Sequence, residues 1–237
     1  MKCFWLLCFL LIVNSCSQKT REQYELSGLE KMTFYPENYK GAIEDFDIAI
    51  ELDSSQAGTY DNRASAKEFL GDLLGALNDY NKAIQIAPTN SEFYTHRGLL
   101  YRKMKDFDNA MKDFDKAIEI DTTFFRAYEG RADLWYATDS FVKAIAQYSK
   151  AISVNENYDA TPYLWRGLSQ CKIGDHKKAI ADFSEAIRIK PKDSYLYNKR
   201  AECYVHLIEK DSACADLLLS IGLGDTLAIR LRKKHCK

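Results

Sequence analysis

Cysteines, histidines and carboxylates are the residues of this 237-residue chain whose types could do chemistry. Four of its seven cysteines lie in the body of the chain: Cys171, Cys203, Cys214 and Cys236. No C-x-x-C or C-x-x-C-H occurs, so thiol-redox and haem-attachment motifs are absent. Cys214 and Cys236 are close enough in sequence to pair in an oxidising compartment. Such a pair would tie the last segment to the rest by about 3 kcal/mol in the chain-entropy model. The alternative is two thiols, buried or free. Cys214, His235 and Cys236 lack the ligand spacing of a zinc site, and no metal is expected. His96, His176, His206 and His235 have no nucleophile or carboxylate at a motif spacing, and no G-x-S-x-G, H-E-x-x-H, Walker or G-x-G-x-x-G motif occurs. Acidic pairs such as Glu44-Asp45 recur along the chain, which fits a solvated helix face better than paired-carboxylate catalysis. Neither a catalytic site nor a cofactor is expected. A net charge of −1 argues against a basic stripe for nucleic acid.

The elements that carry these residues repeat. An arginine followed by a small residue recurs at Arg63-Ala64, Arg97-Gly98, Arg131-Ala132, Arg166-Gly167 and Arg200-Ala201, the small residues 34, 34, 35 and 34 positions apart. A tyrosine stands three before each arginine (Tyr60, Tyr94, Tyr128, Tyr163, Tyr197). Downstream of each small residue come an alanine, a bulky residue and another small one, as in Ala110, Phe114 and Ala117. Spacings of three and four predict two amphipathic helices per unit, with Asp106 as an N-cap of the second. Gly71-Asp72 and Gly174-Asp175 read as a helix-ending glycine followed by the next N-cap. One such hairpin cannot bury its apolar face alone, whereas stacked copies can.

This pattern resembles the tetratricopeptide repeat (TPR), whose period is about 34 residues. Arginine stands where the family usually has leucine before the small residue, and prolines close only two units, at Pro88 and Pro191. The resemblance implies an all-α, right-handed superhelical solenoid of about six antiparallel helix hairpins with a capping helix. Its units are a degenerate first repeat at 23–56, regular repeats at 57–90, 91–124, 125–159 and 160–193, a divergent repeat at 194–223, and a cap and tail at 224–237. The extra residue of the fourth unit falls at Asn155–Asp159. In the capping segment Leu227, Ile229 and Leu231 are expected to face inward, with Arg230, Arg232, Lys233 and Lys234 outward.

First helices line a concave groove in this family. The groove positions here include Glu68, Phe69, Arg102, Lys103, Arg126, Glu129, Asp133, Tyr136, Leu168, Lys172, Asn198 and His206. The resemblance implies that they meet a peptide or helix of a partner, across the middle three first helices. The carboxylate clamp of chaperone-tail-binding members is absent, its positions holding Asp61, Ser65, Thr95 and Leu99. Each arginine, set beside a tightly packed small residue, needs an acceptor. The second-helix series Asp45, Asp79, Asp113, Gln147, Asp182 and Asp216 supplies one. Two pairings fit: within a repeat (Arg63 with Asp79, Arg97 with Asp113 and so on, Arg131 facing Gln147) or between repeats (Asp45 with Arg63, Asp79 with Arg97 and so on). The second is expected, because Asp45 has no arginine in its own repeat.

At the other end, Lys2 precedes an apolar run from Cys3 to Val13, too short to span a membrane but suited to a signal-peptide core. Val13-Asn14-Ser15-Cys16 resembles a bacterial lipobox. It implies a leader at 1–15, acylation of Cys16, and a short linker at 16–22. The expectation is a non-enzymatic protein-interaction scaffold, lipid-anchored in a bacterial envelope and facing the periplasm. It has a protein or peptide partner, no nucleic-acid or small-molecule ligand, and no contact with membrane beyond the anchor. The alternative is a structural subunit packed through its edges or convex face; an accessory to an enzyme is the remaining one.

Overall fold

The N-caps set the helix starts. In the computed structural model, which describes residues 19–34, 38–155 and 159–236, the Asp72, Asp106 and Asp175 carboxylates accept hydrogen bonds from Gly75 N (2.9 Å), Asn109 N (3.2 Å) and Lys178 N (3.3 Å). Each satisfies an amide left without a partner in the first turn. The 1–15 leader, Cys16 and the start of the 16–22 linker lie outside the described residues.

Thirteen helices and no strand occur among the described residues. They are α1 (Arg21–Phe34), α2 (Tyr39–Leu52), α3 (Ala57–Phe69), α4 (Leu73–Ile86), α5 (Ser91–Lys103), α6 (Phe107–Ile120) and α7 (Phe125–Ala137). Then follow α8 (Phe141–Val154), α9 (Thr161–Lys172), α10 (His176–Ile189), α11 (Ser194–His206), α12 (Lys210–Gly222) and α13 (Thr226–His235). They belong to two compact units, Met1–Thr89 and Asn90–Lys237. The first holds hairpins α1/α2 and α3/α4; the second holds α5/α6, α7/α8, α9/α10 and α11/α12, with α13 packed on α12. Within each unit successive hairpins stack in chain order, an all-α solenoid arrangement.

The recurring apolar residues form the core. Ala76, Ala110, Ala144, Ala179 and Ala213 are fully buried, and so are Tyr80, Phe114, Tyr148, Phe183 and Leu217, or nearly so. The small residue of the first helix matches its partner. Glycine occurs where the bulky residue is phenylalanine: a Cβ on Gly98 would lie 2.8 Å from Phe114 Cε1, and one on Gly167 2.8 Å from Phe183 Cε1. Alanine occurs opposite Tyr80, Tyr148 and Leu217. Burial of each such ring or leucine contributes about 2 kcal/mol.

The arginines pair within their own hairpins, which corrects the inter-repeat expectation. Arg97 donates Nε to Asp113 Oδ2 (2.8 Å) and Nη2 to Oδ1 (2.7 Å). Arg63 grips Asp79, Arg166 grips Asp182 and Arg200 grips Asp216 in the same fork, and Arg131 places both nitrogens on Gln147 Oε1. The antiparallel hairpin sets residues sixteen apart across from each other, and guanidinium matches carboxylate bidentately. Asp45 is not spare: Lys31 reaches it at 2.6 Å. Lys31 stands four residues after Ser27, just as Lys67, which also binds Asp79 at 2.7 Å, stands four after Arg63. A link between repeats exists, but two residues further along. The third arginine nitrogen crosses to Asp47 from Arg63, to Asp115 from Arg131, to Ser149 from Arg166 and to Ser184 from Arg200. Each arginine also lies over its own repeat's tyrosine, at 5.5 to 5.8 Å from the ring centre.

In α13 the inward residues are Ala228 and Leu231, packed with Ala201, Leu217 and Ile221. Leu227 and Ile229 are exposed, contrary to expectation. Residues two apart point to different sides of a helix, so Ile229 cannot share a face with Leu231; the inward face runs through Ala228 and Leu231, and Leu227 falls at its edge. A disulfide joins Cys214 to Cys236, with the Cα atoms 5.8 Å apart, and fixes α13 on α12.

Candidate partner-binding cleft

Helices α5 and α7 run side by side as first helices of adjacent hairpins, and the segment entering α9 closes one end of the space between them. The result is a cleft of about 310 Å³ lined by Phe125, Arg126, Glu129, Asp133 and Asp159, among others. It lies wholly in the Asn90–Lys237 unit.

Charge is arranged there in opposed pairs. Arg102 on α5 pairs with Asp133 on α7, and Asp133 also accepts from the Tyr148 hydroxyl at 2.6 Å. Burial, with the Asp133 charge beside it, pushes the Tyr148 hydroxyl far above the usual phenol range. Asp159 pairs with Lys190 at 2.6 Å and accepts from the Thr161 hydroxyl at 2.6 Å and Ala160 N at 2.7 Å. Burial works against its ionised form, but the Lys190 and Thr161 bonds outweigh that and hold it below the usual carboxylate value. Glu129 sits between these two carboxylates. Burial, followed by the Asp133 and Asp159 charges, raises its pKa from 4.5 to about 7, with Arg126 opposing.

Arg102, Arg126, Glu129 and Asp133 thus come together at one cleft. Tyr136, two turns along α7 from Glu129, packs edge-on against Phe141 (5.4 Å) and Trp165 (5.1 Å) instead. Lys103 and Lys172 are exposed. Glu68 is half-buried, and Phe69 stacks on Tyr39 at 4.7 Å in the Met1–Thr89 unit. Two expected groove residues are not on an open groove. Leu168 packs into the core beside Ala179, Phe183 and Cys203. Asn198 is 3% exposed and donates to Asp225 Oδ2 at 2.7 Å, because Asp225, the N-cap of α13, is brought over α11. His206 is exposed and stacks parallel on His176 at 4.3 Å.

Residues missed by the sequence reading are Asp159, Lys190 and Tyr148. Asp159 lies within the one 35-residue step of the repeat, from Ala132 to Gly167, the single signal that could have marked it. The charged groups of the cleft largely engage one another, Arg102 with Asp133 and Lys190 with Asp159.

A tetratricopeptide repeat model matches residues 91–124 and another matches 160–193, while a TPR repeat model matches 70–105. No curated protein matches the chain. Among solved structures, MamA is 26% identical, with 70% of this chain and 91% of that one covered and a TM-score of 0.62. YrrB, described as a TPR protein with an unusual peptide-binding site, is 20% identical, with 80% and 97% covered and a TM-score of 0.64. PilF of Pseudomonas aeruginosa is 17% identical, with 90% and 97% covered and a TM-score of 0.77. At these identities the last two likenesses concern the fold alone.

Proposed function

The chain is a tetratricopeptide-repeat protein, and from that premise we propose that it is a non-enzymatic interaction scaffold of a bacterial envelope, holding a peptide or helix of a partner protein. The observation that carries this reading is the α5–α7 cleft, where Arg126 and Glu129 stand between two engaged ion pairs. A partner segment with an acidic and a basic group in succession would meet Arg126 and Glu129 while burying apolar surface on Phe125. The expected lipid anchor at Cys16 and the Cys214–Cys236 disulfide both suit an oxidising envelope compartment. Cys16→Ala should leave an unprocessed precursor without acyl mass; a normally matured protein cut elsewhere would contradict the anchor. A pull-down from native membranes tests the partner site. Arg126→Glu with Glu129→Lys should abolish partner recovery.

The structural-subunit reading is favoured by one observation, the exposed Leu218, Leu219, Leu227 and Ile229 on α12 and α13. If Leu218→Asp with Ile229→Asp abolished recovery and the cleft variant did not, that reading would replace the groove.

A further inference from the structure

Three metal-ligating side chains meet away from the cleft, at the joint between the last two full hairpins. Cys171 lies in the last turn of α9, His176 opens α10, and Cys203 comes from α11. Their ligand atoms all lie within 4.8 Å of one another, and the two Sγ atoms are 2.9 Å apart. From this geometry we propose that Cys171, His176 and Cys203 form a binding site for a thiophilic divalent cation of the zinc class.

The His176 ring carries the second observation. Its Nδ1 is shut off from solvent and has no hydrogen-bond partner among the described residues. A buried polar atom in that condition is costly, and a metal-bound neighbourhood that turns the ring or engages it removes the cost. The donor set is right for zinc, which takes cysteine sulfur at about 2.3 Å and histidine nitrogen at about 2.0 Å. Two thiolates on a tetrahedral ion stand about 3.8 Å apart, so the pair must open by about 0.9 Å, within the reach of χ1 adjustments at Cys171, which is half-buried. The positions are also pre-set. Gly174, at φ +81°, makes the turn that brings His176 back over Cys171, and Asp175 caps α10 behind it. His206 stacks on the His176 ring at 4.3 Å, and water would fill the fourth position.

The exchange balances: two thiols and one divalent cation give two thiolate–metal bonds and release two protons. The site then has no net charge, which suits the buried Cys203. The site is independent of the partner cleft, since none of its residues lines that cleft.

The test uses the full-length protein, reduced and freed of metal, titrated with cobalt(II) and then zinc(II). Expected is a thiolate-to-cobalt charge-transfer band with tetrahedral visible absorption, saturating at one equivalent and erased by zinc. Cys171→Ser and His176→Gln, at positions open enough to keep the fold, should each weaken cobalt binding at least about tenfold, with circular dichroism unchanged. Cys203→Ser should do the same, but its burial makes it the secondary variant. Absence of the band, or a band unmoved by Cys171→Ser and His176→Gln, would overturn the site. So would peptide mapping of freshly isolated protein that found Cys171 disulfide-bonded to Cys203.

Discussion

At the scale of single residues, the arginine of each hairpin works in three directions. It forks onto an acid of its own second helix, or onto Gln147 in the case of Arg131, and lies over a tyrosine one turn back; Arg63, Arg131, Arg166 and Arg200 also reach a residue of the preceding hairpin. The three contacts differ in strength because their burial differs. The Asp182 side chain is 6% exposed, whereas that of Asp115, which meets Arg131 from the hairpin before, is 54% exposed. Removing one charge from the buried fork leaves the guanidinium poorly satisfied, so Asp182→Asn should cost about 2–3 kcal/mol in urea unfolding. Asp115→Asn should cost less than about 1 kcal/mol. Equal losses at the two sites would contradict this ranking. The recurrence of arginine and acid was plain in the sequence, and their partnership was not. Asp45 without an arginine pointed to the wrong pairing, because Lys31, one helical turn along, supplies the cation instead.

Glu129 gives a prediction in pH. Its folded pKa is raised from 4.5 to about 7, so between those values the folded state binds more protons than the unfolded chain. Stability contributed at this site is present below the lower value and falls as pH rises to the upper one. Asp133, Asp159 and Arg126 are the charged groups facing it. Glu129→Gln cannot ionise, so its stability relative to wild type should grow between about pH 5 and about pH 8. Parallel stability curves for the two proteins over that range would show that Glu129 titrates normally.

At the scale of elements, the joints within hairpins share one backbone solution with different residues. The residue before the second-helix N-cap is in the left-handed region at Gly71 and Gly174, and also at Lys105 (φ 63°), Asp139 (φ 55°) and Ile208 (φ 64°). Glycine adopts that region freely, while a β-branched residue is strained there. Ile208 is also 89% exposed, so its side chain contributes little packing in return. Ile208→Gly should therefore stabilise by about 1 kcal/mol, the relief of strain less the added freedom of the unfolded chain. No change or a loss in chemical denaturation would mean that the joint is unstrained. The glycine joints were legible from residue type; the other three were not, since lysine and isoleucine carry no turn signal and the weaker one of Asp139 does not stand out among the chain's many aspartates. The inward face of α13 was misread for a related reason. Its apolar residues alternate at spacing two, and only the packing of Ala228 and the disulfide at Cys236 show which side faces α12.

At the scale of the whole molecule, repetition is what made the fold readable. A thirty-four-residue period repeated through most of the chain outvotes any ambiguous segment, and the core positions it marks are the buried ones. The charged cleft and the cysteine–histidine cluster do not repeat, and so they were only partly visible. Arg102, Arg126, Glu129 and Asp133 sit at periodic first-helix positions and were named from the sequence. Asp159 and Lys190 fall in the segments that join hairpins, and Cys171, His176 and Cys203 occupy non-equivalent positions in their repeats, so no period connects them. Partner binding at the α5–α7 cleft is tested most directly by photocrosslinking in native membranes, with a photoreactive residue in place of Arg126 or of Val142. Val142 stands on the second helix α8 and is 70% exposed, so it reports contacts made elsewhere on the surface. A discrete crosslinked partner is expected from position 126 and none from position 142. A partner captured from position 142 and not from position 126 would contradict a binding role for the cleft.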